Sequence, residues 1–109
     1  MFVTSEGSAY SRFRRALDTG NELLIIATAR DLPQVSLPDA LRVVLLFRDG
    51  EPERYERACV RWLGRFALEA RGVSIEALRS AAEALEVLPE RAGEAMERLQ
   101  QLCVAHGIG

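Results

Sequence analysis

Lysine is absent from this chain of 109 residues, and all 14 basic side chains are arginine. Against 16 acidic residues they leave a formal net charge of −2 and a pI near 5.5, so no global positive field gathers nucleic acid or an anionic membrane. The arginine-only bias beside abundant alanine has the mark of a GC-rich genome and carries no mechanism. Histidine occurs once, as His106 near the C-terminus, in a segment expected to fray, which removes histidine-dependent acid–base or nucleophilic chemistry. The two cysteines, Cys59 and Cys103, stand far apart without CxxC spacing, so they are expected as buried, unpaired thiols and not as a disulfide framework or a zinc site. There is no glycine-rich phosphate loop, and no acidic pair sits at metal-ligand spacing with a histidine. No apolar run approaches the length of a membrane span. The first residues lack the basic start and long apolar stretch of a secretory signal, so a cytoplasmic location is expected.

What is present describes an ordinary globular chain: 49% hydrophobic and 28% charged residues, at a length that suits one domain. A single helical domain over 1–109 is expected, with 1–8 as a flexible N-terminal segment. Punctuation falls at Thr19-Gly20-Asn21, Leu32-Pro33, Asp49-Gly50-Glu51-Pro52, Arg71-Gly72 and Leu88-Pro89. Every segment between these marks has helical periodicity. The fold class predicted is all-α, a compact bundle or short superhelix of about six helices arranged as three helical hairpins.

The first helix should run from about Ala9 to Asp18, with Tyr10, Phe13 and Leu17 on one stripe, and stop where Gly20 takes a left-handed conformation. The second follows Asn21 as N-cap. Its Leu23, Leu24, Ile25, Ile26 and Ala27 surround the helix with apolar surface, which calls for near enclosure. Ser36 and Asp39 can cap a third helix whose core is Leu41, Val44, Leu45 and Phe47. The fourth, from Pro52 to about Ala70, is the longest. The fifth enters through Val73-Ser74 and should bury Ile75, Leu78, Ala82 and Leu85. The sixth should begin at Pro89 and bury Ala92, Met96, Leu99 and Cys103.

Two features stand out. On the fourth helix, at about 100° per residue, Tyr55, Cys59, Trp62, Leu63 and Phe66 share one face, while Arg54, Arg57, Arg61 and Arg65 gather on the opposite one. The arginines suit docking to an acidic partner, because the guanidinium offers planar, bidentate hydrogen bonds. A charge stripe of this kind is more often a solvated face, and local pairing fits it, since Glu53 precedes Arg57, and Arg65 precedes Glu69, by four residues. Gly64, inside this helix, costs about 1 kcal/mol relative to alanine, for which close approach of a neighbouring helix is the simplest account. The second feature is the phrase Ala70-Arg71-Gly72-Val73-Ser74-Ile75-Glu76-Ala77-Leu78-Arg79. Over these ten residues it resembles the turn of bacterial helix-turn-helix regulators, which implies that Glu76, Ala77, Arg79, Ser80 and Glu83 face a DNA groove. The same letters also serve as a helix stop at Gly72, a staple at Val73 and a cap at Ser74.

No catalytic residue, cofactor site or metal site is assigned, and the chain is expected not to be an enzyme. The reading that follows is a small helical protein–protein interaction module, an adaptor, regulator or subunit, with Arg54, Arg57, Arg61 and Arg65 as partner-binding residues. The expected partner is a protein with an acidic surface. Self-association stays open, a membrane is not expected, and nucleic acid is disfavoured by the acidic pI. A helix-turn-helix-like DNA-binding regulator is the alternative.

Overall fold

A computed structural model of the chain describes residues 5–108, with side chains from Ala9 onward. Residues 1–4, half of the stretch expected to be flexible, lie outside the described residues. Six helices form, α1 (Ser5–Thr19), α2 (Glu22–Ala29), α3 (Leu37–Phe47), α4 (Pro52–Glu69), α5 (Ile75–Val87) and α6 (Ala92–Ala105), and no strand occurs among the described residues. Consecutive helices pack as three hairpins, α1 on α2, α3 on α4 and α5 on α6. The chain divides into two units, Met1–Ser36 and Leu37–Gly109.

In the first unit, α1 starts at Ser5, about one turn before the expected Ala9, because Gly7 lowers helix stability without forbidding the helix. Ala9, Phe13, Ala16 and Leu17 are buried. Gly20 adopts a φ of +71° and stops α1 as expected, and the Asn21 side chain accepts a hydrogen bond from the Leu24 N–H at 3.2 Å to cap α2. The enclosure expected of α2 does not occur. Ile25 is buried, yet Leu23 is 81% exposed and Leu24 is also exposed. Within this unit α2 has α1 as its neighbour, and one helix covers only one side of another.

The second unit is a closed ring of four helices in which α3 packs on α4, α4 on α5, α5 on α6, and α6 back on α3. Its core joins Leu37, Leu41, Val44, Trp62, Phe66, Ala81, Leu85, Leu88, Leu99 and Cys103. On α3, Leu41 and Val44 are buried as expected, while Leu45 and Phe47 are half-buried at the margin.

Helix α5 buries Leu85 as expected but turns the rest of its expected stripe toward the margin. It buries Ala77, Ala81, Ala84 and Leu85, while Leu78 and Ala82 are half-buried and Ile75 is 76% exposed. The large side chains suggested the core face, but α5 lies between two neighbours, and small alanines let both approach. Ser74 caps the helix by accepting from the Ala77 N–H at 3.1 Å.

Helix α6 starts at Ala92, three residues after the expected Pro89. Leu88, fully buried, draws the chain into a turn in which the N–H groups of Glu90 and Arg91 both donate to the Val87 carbonyl, at 3.1 and 2.8 Å. Ala95, Leu99 and Cys103 are buried on α6; Met96 and Ala92 are half-buried.

Candidate functional site

Helix α4 carries the arginine ridge, and its two sides do different things. The inward side is structural. Trp62, only 2% exposed, stacks on Phe66 with ring centroids 5.5 Å apart, and its indole N–H donates to the Leu37 carbonyl at 2.9 Å. A buried indole needs such a partner, and this bond ties α4 to the first residue of α3.

Tyr55 does comparable work at the other end of the helix. Its hydroxyl donates to the Leu85 carbonyl at 2.8 Å. In a regular helix that carbonyl accepts from the residue four positions on, which here is Pro89, a residue without an N–H. The phenol therefore supplies the donor that proline cannot. Burial raises the Tyr55 pKa above its ordinary value, so the hydroxyl stays protonated.

The arginine ridge is not one continuous surface. Arg54 is half-buried, with its guanidinium 4.4 Å above the centre of the Phe47 ring. Arg65 is half-buried and bonded to Glu69, Nε to Oε2 at 2.8 Å. These two cations are engaged within the fold, a cation–π contact and a local pair. Arg57 and Arg61 are exposed, and among the described residues no salt bridge joins Glu53 to Arg57. The patch they form extends to a residue that the sequence reading missed: Leu68 is 88% exposed. Arg57, Arg61, Gly64 and Leu68 follow one another at spacings of four, three and four, one stripe of the helix surface. That spacing is the signal the sequence carries, obscured because a leucine does not extend a stripe of charge.

Gly64 is also not at a helix crossing. A Cβ built there meets nothing within 4 Å, so the expectation of a close helix approach is corrected. The glycine faces open space on the outward stripe.

Between α4 and α5 lies an open cleft of about 640 Å³, lined by Tyr55, Cys59, Leu63, Ala82, Leu85 and Pro89 among others. Cys59 is half-buried there and not enclosed as expected, whereas Cys103 is buried in the core; both thiols are free. Burial raises both thiol pKa values, that of Cys103 to about 11 with help from Glu69, so neither carries thiolate character at neutral pH.

The turn after α4 has the form anticipated for a helix stop, with Gly72 at a φ of +63°. Of the residues assigned to a DNA groove, Glu76, Arg79 and Glu83 are exposed, but Ala77 is buried and half-buried Ser80 accepts from Arg98 at 3.2 Å. The exposed set carries one positive and two negative charges.

His106, expected to fray, is instead pinned to this turn. The Arg71 N–H donates to the His106 carbonyl at 2.9 Å, and His106 Nδ1 lies 2.8 Å from the Arg71 carbonyl. Since a carbonyl only accepts, Nδ1 carries the proton. The ring also sets its edge against Phe66 at 5.8 Å. Two backbone-directed bonds and an aromatic contact hold the end of α6 against the end of α4.

Among the described residues no group of three His, Cys, Asp or Glu side chains could hold a metal ion, and no helix is long and apolar enough to cross a membrane. No family model matches the chain, and no curated protein or solved structure matches it.

Proposed function

We propose that this chain is a cytoplasmic protein–protein interaction module without catalytic activity, docking an acidic partner through the outward stripe of α4. The observation that carries the reading is the stripe itself: Arg57, Arg61, open Gly64 and exposed Leu68 in line on one helix. An exposed leucine beside two cations not committed to an ion pair combines an apolar anchor with bidentate donors, a mixture suited to the centre and edge of a protein contact. Arg54 and Arg65, included in the expected site, drop out because the fold already uses them. The glycine lets a partner backbone come close to the helix at the middle of the patch.

The alternative, duplex DNA read by α5, is supported by the Gly72 turn and exposed Arg79 but opposed by Glu76 and Glu83 on the same exposed surface. Salt dependence separates the two. A protein partner captured from the native host should be lost gradually with added salt, as screened rim charges are. Tight binding of duplex DNA with a steep salt slope would displace the protein-docking reading.

A further inference from the structure

The α4/α5 side of the second unit has a property that the docking stripe lacks: it is complementary to itself. Ile75, Arg79, Ala82 and Glu86 follow at spacings of four, three and four, so they form one line along the outer surface of α5. Ile75 projects from one end, 76% exposed, and the cleft opens at the other, lined by Leu85, Glu86 and Pro89. Arg79 and Glu86 carry opposite charges at equal distances along the helix from the midpoint between Ala82 and Glu83. Val60, 62% exposed on α4, lines the same cleft as Ala82 and extends its apolar surface. Turning this face through half a revolution brings knob onto cleft and cation onto anion, which is the condition for a two-fold interface.

We infer that the α4/α5 face binds a second copy of this chain about a two-fold axis passing near Val60 and Ala82. Antiparallel α5 helices then place Arg79 of each copy across from Glu86 of the other, and each Ile75 beside the other copy's Pro89, in the cleft. The pairing is counted along the helix. Positions equidistant from the midpoint between Ala82 and Glu83 meet, so 79 meets 86 and 75 meets 90, one residue beyond the proline. A partner of a different kind would need complementary charge by coincidence; a second copy has it by symmetry. The small side chain of Ala82 lets the helices approach closely at the axis, and Val60 of each copy buries its exposed surface against the other.

Sedimentation equilibrium of the full chain, from micromolar to near-millimolar concentration, tests this. The wild type should dimerise. Arg79→Glu alone places like charges across the axis and should weaken the dimer about tenfold or more. Arg79→Glu combined with Glu86→Arg restores opposite charges and should recover most of the affinity, which general damage to the fold would not do. Ile75→Asp should give monomers with an unchanged helical circular dichroism spectrum, since Ile75 is exposed. A wild type that stays monomeric over the whole range overturns the inference, as does a dimer indifferent to the charge reversals and to Ile75→Asp.

Discussion

At the scale of single residues, the unexpected economy lies in how polar groups are satisfied. Pro89 removes the donor that Leu85 requires, and Tyr55 restores it from another helix. Tyr55→Phe keeps the ring and deletes the donor, so it should cost about 1 to 3 kcal/mol in chemical denaturation, the range for a buried carbonyl left unpaired. A loss below about 0.5 kcal/mol would show that water replaces the phenol. The sequence could suggest Tyr55 for the inner face of α4 but not its partner, because the proline and the tyrosine come together only through the packing of α4 on α5. His106 was misread for a similar reason: position near a terminus implies fraying, and nothing local announces that Arg71 offers both a donor and an acceptor.

Cys103 yields a pH prediction. Its folded pKa, about 11, is raised above the ordinary value of 9.0 because burial disfavours the thiolate. The folded state therefore holds its proton more tightly than the unfolded chain, and the resulting stability is fully present below about pH 9. It is lost as pH climbs from there through the folded value. Thermal midpoints measured from pH 8 to 11 should fall more steeply in the wild type than in Cys103→Ala. Parallel slopes would mean that the thiol is hydrated in the folded protein.

At the scale of elements, periodicity located the helices well and their orientation less well. Helix α4 matches its expected bounds and turns Trp62 and Phe66 inward, because large aromatics on one side of a long helix leave few alternatives. On helix α5 the expected stripe holds at Leu85 and fails at Ile75, Leu78 and Ala82, since alanine and leucine differ little in pattern and the closeness of two neighbours decides between them. Leu85→Ala should therefore cost about 2 to 5 kcal/mol, and Leu78→Ala, half-buried, distinctly less. Equal losses in urea denaturation would return Leu78 to the core. Gly64 offers the opposite sign. With nothing within 4 Å of a Cβ there, Gly64→Ala should stabilise the protein by up to about 1 kcal/mol, seen as a higher thermal midpoint. A destabilised variant would mean that a neighbour occupies the space beside the helix.

At the scale of the whole molecule, the all-helical class and the three hairpins were legible because caps and breakers such as Asn21, Ser74, Gly20 and Gly72 act locally. The candidate site was legible only in part. Four arginines on one helix face look alike in sequence, and only tertiary neighbours separate Arg54, over Phe47, and Arg65, on Glu69, from the exposed pair. What remains is a division of α4 into an inward side that holds the fold and an outward stripe that we assign to a partner. The most direct measurement is quantitative capture of native host proteins on three baits: the wild type, the triple variant Arg57→Gln, Arg61→Gln, Leu68→Ser, and a control carrying Glu94→Gln and Glu97→Gln on α6. Each bait is first confirmed folded by its melting curve. Loss of a wild-type partner from the α4 variant alone is the predicted result. Equal capture by all three would contradict the assignment of the α4 stripe as the docking site.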